Sequence, residues 1–442
     1  MKTLLLLSCT FCLYLGNAQN ISFTDPLFKG ALINAPEVAN GTSFTDLNGN
    51  TSENVDTNND GEISIAEAQN VAEINFYYLP FTDLEGLQFF TNVKKIISYN
   101  SFATTFNFPE LINLEELTIN AIVGQRVLTN FSVANNTNLK VLEISSGLTT
   151  AIDLSNNTNL RELRIRDEAT NLNLNLANLS NLRKLSYFGN LPTLNLTDCI
   201  KLIEVSIGST TANAIGFSAI DLTNQPLLVN LYVSNTNISN LDLSNNPNLE
   251  NVFVQNNLLQ SINFGNLYYV RNLYCENNQL ATLDLNNFQN LEVLSCANNN
   301  LTEIKLKNFK IENYIDFDNN PNLQYICCDA EQVVYIQNQA LLNGNYDTVV
   351  DAACLANGTL ATESVANSVN KISLFPNPTR EYLSFTNKEI LDQVLIYDMN
   401  GRLIKTYPNV SKTIDVSTLE NGIYLVKVFS GVESQTLKFS KD

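Results

Sequence analysis

Between Asp56 and Glu67 the sequence reads Asp-Thr-Asn-Asn-Asp-Gly-Glu-Ile-Ser-Ile-Ala-Glu. This is the spacing D-x-[DN]-x-[DN]-G-x5-E, which places hard oxygens where a calcium ion needs them. Asp56, Asn58 and Asp60 would offer side-chain oxygens, Glu62 its backbone carbonyl, Ser64 a hydroxyl or a water, and Glu67 a bidentate carboxylate. Gly61 permits the sharp turn, and Ile63 points inward. One such loop implies a structural calcium that rigidifies the N-terminal region. The alternative is an Asx-rich turn capping a helix that Glu67 begins and Val71 and Ile74 continue.

Other chemistry is limited by what the chain lacks. Its 442 residues include no His and no Trp, which excludes imidazole-based nucleophilic catalysis and His-ligated metals. Lys and Arg number 25 against 44 Asp and Glu, a formal net charge of -19. Nucleic acid is therefore not an expected partner, since it requires a basic face. The start, Met1-Lys2-Thr3, an apolar run to Leu15 and Gly16-Asn17-Ala18, reads as a signal peptide cleaved after Ala18, and no later stretch is long and apolar enough to span a membrane. Six of the eight cysteines would remain after cleavage. Cys275, Cys296 and Cys328 stand at inward positions as small hydrophobes, whereas Cys327 is expected to bridge to Cys354, with Cys328 as the alternative partner. Thiol catalysis is not expected without a His.

The elements that must position these residues show a repeat. An apolar-Asx-apolar start recurs at Phe106, Phe131, Ile152, Leu174, Leu194, Ile220, Leu241, Ile262, Leu283 and Ile304, and four successive steps from Ile220 are 21 residues each. The step from Leu194 to Ile220 is 26 residues, consistent with an insertion around Thr210 to Phe217. The run Leu291-Glu-Val-Leu294-Ser-Cys296-Ala-Asn-Asn299 carries L-x-x-L-x-L-x-x-N, as do Val270, Leu273, Cys275 and Asn278 one coil earlier. Asn makes up roughly one residue in seven, far above ordinary usage. Two ladders account for the excess: Asn190, Asn257, Asn278 and Asn299 at position nine, and Asn113, Asn138, Asn159, Asn181, Asn248, Asn290 and Asn322 before the first Leu.

This pattern resembles a leucine-rich repeat. The resemblance implies a mostly β solenoid of about 10 coils with a parallel concave sheet, on which such proteins bind their partners. Short strand or irregular segments are expected on the other side, since coils of this length leave little room for a helix. Facing the concave surface, position five reads Tyr232, Phe253, Tyr274, with Asn230, Asn251 and Asn272 at position three. Aromatics beside amides suit a protein partner or sugar rings; the alternative is that like residues merely stack along the strands. Lys140, Arg161, Arg164, Arg166, Arg183 and Lys184 form a positive cluster, for which pairing with Glu143 and Glu162 is the expected role. The calcium spacing in turn resembles an EF-hand or dockerin loop.

The repeats are expected to end with a compressed coil, Ile304 to Tyr314, and a last strand from Leu323 to Cys328. From Ile372 short alternating strands suggest a small β-sandwich. Pro376-Asn377-Pro378, Tyr397-Asp398-x-x-Gly401-Arg402 and Leu419-x-x-Gly422-Ile-Tyr424-Leu-Val-x-Val428 are together similar to the C-terminal sorting domain of type IX secretion cargo. The resemblance implies transport by the type IX machinery through 372–442 and placement in the medium or on the outer surface of a Gram-negative cell. The expected organisation is signal peptide 1–18, N-terminal cap with the calcium loop 19–83, leucine-rich repeat solenoid 84–328, C-terminal cap 329–354 with a helix from Gln332 to Leu342, linker 355–371 and immunoglobulin-like sorting domain 372–442. A non-enzymatic protein that binds another protein or mediates adhesion is the favoured reading. A surface-polysaccharide binder follows it, and a carboxylate-based glycoside hydrolase comes last, because no paired acids flank the aromatic stripe.

Overall fold

The computed structural model describes residues 19–35, 42–77, 81–99, 102–120, 127–145, 147–148, 152–172, 174–209, 217–342, 345, 348–354, 372–386, 390–399, 401–430 and 433–442. The expected signal peptide 1–18, the linker 355–371 and all but Phe217 of the expected insertion lie outside these residues. The fold is mostly β, a solenoid of about twelve turns followed by antiparallel sheets. The chain divides into two compact units after Asn278.

In the first unit, Thr42–Asp46 (β1), Thr51–Ser52 (β2) and Val71–Tyr77 (β3) pair antiparallel. From β3 onward the pairing is parallel through Lys95–Tyr99 (β4), Glu116–Asn120 (β5), Val141–Ser145 (β6), Glu162–Asn171 (β7), Lys184–Asn190 (β8), Glu204–Gly208 (β9), Asn230–Ser234 (β10), Asn251–Phe253 (β11) and Asn272–Tyr274 (β12). One register line carries Ile74, Ile96, Leu117, Leu142, Leu163, Leu185, Val205, Leu231, Val252 and Leu273. All ten are buried. Each contributes on the order of 2 kcal/mol by leaving water, so the row sets the register of every strand.

Two expectations change here. The helix after the Asx-rich loop spans only Ile65–Gln69, and Val71 and Ile74 lie in β3. Ile74 and Phe76 alternate at strand spacing, Val71 pairs with Asp46 across a register shift, and all three bury, which outweighs a helical continuation. The parallel ladder thus begins inside the stretch assigned to the N-terminal cap, and about twelve turns replace the expected ten. The opposite side carries short parallel pairs, as expected: Thr105–Asn107 with Asn130–Ser132, Val127–Leu128 with Gly147–Leu148, and Asn240–Asp242 with Ser261–Asn263.

In the second unit, Val293–Ser295 pairs with Tyr314–Asp316, and Thr282–Asp284, Glu303–Leu306, Tyr325–Cys328 and Val349–Asp351 form a four-stranded parallel sheet. The coil from Ile304 is not compressed: eleven residues separate Leu283 from Leu294, and eleven separate Ile304 from Ile315. The last strand joins the ladder of apolar-Asx-apolar starts, so Cys328 is the register partner of Leu306 rather than a position-six residue. It is buried all the same. The cap helix runs Val333–Leu342, one residue shorter than expected.

From Leu374 two antiparallel sheets follow, one of Leu374–Phe375, Tyr382–Phe385 and Thr413–Asp415, the other of Leu403–Val410, Leu391–Tyr397, Gly422–Ser430 and Glu433–Lys441. They enclose a separate core that includes Leu383, Phe385, Val394, Ile396, Val426 and Phe439. The motif residues hold its turns. The Asn377 amide donates to the Lys438 carbonyl and accepts from the Ser440 N–H. Asp398 accepts from both the backbone and the guanidinium of Arg402, with Gly401 at φ 77 between them.

Candidate functional site

The Asx-rich loop closes on its own polar groups. Asp56 Oδ1 and Oδ2 accept the N–H groups of Asp60 and Gly61 at 3.3 and 2.8 Å, and Asn58 Oδ1 accepts from Asp60 at 2.8 Å. Asp60 Oδ1 accepts from Glu62 N–H at 2.8 Å. Asn59 at φ 57 and Gly61 at φ 82 make the turn, conformations that Asn and Gly adopt most readily. The Glu62 carboxylate pairs with Lys29 at 2.7 Å. Ile63 is fully buried, and its carbonyl accepts from Ile21 N–H.

Glu67 does two things at once. Its Oε2 accepts from the N–H and hydroxyl of Ser64, and Ser64 Oγ accepts from Glu67 N–H, a reciprocal cap of the short helix. Its Oε1 accepts from Thr57 N–H and Oγ1 at 2.8 and 2.9 Å. Burial pushes the Glu67 pKa up, but these hydrogen bonds outweigh it and hold the carboxyl below its ordinary value. Among the described residues, no group of three or more acids or cysteines stands arranged around a metal position. The donors are the right type for calcium, and Asp56 and Glu67 are 4 % and 9 % exposed; in this geometry they serve the turn and the helix cap.

The outward face of the long sheet gathers all six residues expected there. Register pairs Asn230 with Asn251 and Asn251 with Asn272, and likewise Tyr232 with Phe253 and Phe253 with Tyr274. The Asn272 amide donates to Asn251 Oδ1 and the Asn251 amide to Asn230 Oδ1, both at 2.7 Å. Beside this amide chain, the Tyr232 and Phe253 rings lie 5.0 Å apart at 36°, and Phe253 and Tyr274 lie 4.5 Å apart at 13°. All six side chains are half-buried. The Tyr232 hydroxyl is pushed above its ordinary pKa by burial and by the charge of Glu204.

Of the positive cluster, Arg164 and Lys184 pair with the expected acids and Lys140 with another. Arg164 reaches Glu162 at 2.9 Å and Glu143 at 3.4 Å, and Lys184 reaches Glu162 at 3.6 Å. Lys140 turns to Glu115 at 2.5 Å. Cys327 and Cys354 form a disulfide, while Cys199, Cys275, Cys296 and Cys328 are free and buried. Burial pushes the Cys199 and Cys328 thiols up to about 12, which suits packing and not nucleophilic attack.

A further Asn ladder escaped the sequence reading. Asn136, Asn157 and Asn246, all buried, donate to pairs of backbone carbonyls one coil earlier, Asn246 to those of Leu222 and Gln225 at 2.9 Å. The repeated Asn-Asn pairs were its signal. At the strand exits the pairs divide the labour: Asn256, Asn277, Asn298 and Asn319 take φ between 52 and 57, and the Asn after each bonds the coil.

No curated protein sequence matches the chain. Among solved structures, the functional domain of InlJ from Listeria monocytogenes is similar at a TM-score of 0.50 and 18 % identity, covering 86 % of this chain and 93 % of that one. The Leptospira interrogans leucine-rich repeat protein LIC12759 is similar at a TM-score of 0.41 and 16 % identity, over 65 % of this chain and 74 % of that one. The InlJ likeness shows the fold alone, a leucine-rich repeat solenoid. Residues 373–442 match the family described as a secretion system C-terminal sorting domain, and this part of the chain is such a domain.

Proposed function

We propose that this is a non-enzymatic leucine-rich repeat protein, exported by type IX secretion to the medium or outer surface of a Gram-negative cell, that binds a protein partner through the outward face of its long sheet. The observation that carries the reading is the in-register aromatic and amide ladder of Tyr232, Phe253 and Tyr274 beside Asn230, Asn251 and Asn272. It presents rigid apolar area next to orienting hydrogen-bond groups, the combination that protein interfaces favour. The sorting domain supplies the route of export. The test is retention of candidate proteins and of a polysaccharide panel by the immobilised chain. A protein retained specifically, and weakened by Phe253→Ala or Tyr232→Ala, supports the reading. Retention of polysaccharide alone would replace it with glycan capture.

A second reading concerns the Asx-rich loop, where calcium would sit among Asp56, Asn58, Asp60, the Glu62 carbonyl, Ser64 and Glu67. Two buried carboxylates in one turn, with Lys29 engaged by Glu62 instead, favour it. Thermal unfolding with calcium and with a chelator tests it: calcium should raise the midpoint, and Asp56→Asn should abolish the rise. Equal midpoints would leave the loop as a hydrogen-bonded helix cap.

A further inference from the structure

Ring stacking restricts what the aromatic ladder offers to a ligand. Phe253 has Tyr232 on one side and Tyr274 on the other, so along the ladder a partner meets ring edges. Tyr232 is different. Its register neighbour away from Phe253 is Ser206 on β9, followed by Ser186 on β8, and neither serine side chain is large enough to cover a ring. The same strand β9 presents Glu204 before Ser206 and Gly208 after it. The Phe188 ring leans from β8 across Gly208, where an added Cβ would come within 3.0 Å of it. Small residues at Ser206 and Gly208, set between the Tyr232 and Phe188 positions with Glu204 beside them, argue for a recess there.

The charges around it are uneven. Lys184 stands beside Glu204 in register but turns to Glu162, and among the described residues Glu204 has no ion-pair partner. We infer that the recess receives a lysine or arginine side chain of a basic protein segment, its cationic head over the open face of Tyr232 and against the Glu204 carboxylate. This rests on the reading of the outward face as a protein-binding surface. An aromatic face attracts a cation through its quadrupole, an unpaired carboxylate adds a charge-assisted hydrogen bond, and a chain of net charge -19 draws basic partners toward it. A neutral sugar would use the ring and leave the carboxylate without a counter-charge.

The test measures fluorescence anisotropy of labelled hexalysine, and of its fully acetylated counterpart, with the full chain. The charged peptide should bind and the acetylated one should not. Tyr232→Leu, which changes no charge, and Glu204→Gln should each weaken binding about tenfold, while Glu110→Gln, an equal charge change elsewhere, should leave it unaltered. Circular dichroism verifies that each variant is folded. Equal affinity across all four proteins would mean diffuse attraction to an acidic chain and would overturn the inference, as would no binding of hexalysine. Binding of a neutral oligosaccharide lost on Tyr232→Leu would also overturn it, by naming a different occupant. If Tyr274→Ala weakens a natural protein partner while Tyr232→Leu and Glu204→Gln do not, the outward face stands as a binding surface and the recess falls.

Discussion

Two of the jobs asparagine does in this chain differ in how replaceable the residue is. At position nine, Asn257 donates to the Val233 and Val254 carbonyls and accepts from the Thr236 N–H and hydroxyl, so both ends of the amide are used. In the buried turn, Asn246 donates to two carbonyls while its own oxygen has no partner. Cys199, Gln225, Leu267 and Phe288 hold the same turn position in other coils, which is the variation a half-used amide permits. Asn257→Leu should therefore cost about 1–3 kcal/mol by stranding buried donors and acceptors, and Asn246→Leu markedly less, because it also removes an unpaired oxygen. Urea unfolding of the two variants measures the difference; equal losses would contradict the division of roles. The position-nine ladder was legible in the sequence where its period is regular, at Asn257, Asn278 and Asn299, whereas the turn ladder was hidden by its substitutions. Registers of the outward face were legible for the same reason: with every coil 21 residues long from Ile220, residues at equal positions must become neighbours, and Tyr232, Phe253 and Tyr274 do.

At the scale of elements, the last repeats and their cap meet through a buried carboxyl. Glu312, 6 % exposed, accepts from the Asn308 amide at 2.8 Å and from the Gln332 amide at the start of the cap. Burial raises its pKa above the ordinary 4.5, more than these hydrogen bonds lower it. The folded chain therefore holds this proton more tightly than the unfolded chain does. The stability it contributes is full below 4.5 and is lost as pH rises from 4.5 through the raised value, after which the loss is constant. Glu312→Gln removes that loss, so the variant should gain most over the parent at neutral pH and least in acid. Melting midpoints across pH 4 to 8 would show it, and a gain independent of pH would refute it. The same cap is tied by Cys327–Cys354 across 27 residues; Cys354→Ser should lower stability by about 2–4 kcal/mol, read as a drop in the urea midpoint. Cap and disulfide were legible from the break in pattern after Cys328. The helix at Ile65–Gln69 ends earlier than its sequence suggests, because Val71 and Ile74 keep helical spacing and only the pairing with β1, through a register shift, and with β4 makes them strand.

On the scale of the whole chain, the solenoid grows by repetition and the sorting domain does not take part in it. From β3 to β12 each strand buries its residue on the one register line, so stability there is the sum of near-neighbour contacts along that row. The C-terminal sandwich closes on residues of its own, from Leu383 to Phe439, and its signature motifs hold its own turns: Asn377 ties the Pro-Asn-Pro segment to the last strand, and Asp398 ties the turn before Arg402. A domain that closes on its own core, touching the cap helix only where Gly401 lies against Val334 and Asn338 among the described contacts, can serve as an address and be removed afterwards with little loss to what it carried. Truncation after Asn370 should therefore leave the solenoid's melting midpoint within a degree or two of the full chain while abolishing export from a type IX-competent cell. Disruption of the domain by Asp398→Ala should weaken export without touching the solenoid. Both measurements are needed together: a truncated chain that melts much earlier would show that the sandwich supports the repeats as well as directing them, and a truncated chain still exported would place the export signal elsewhere in the sequence.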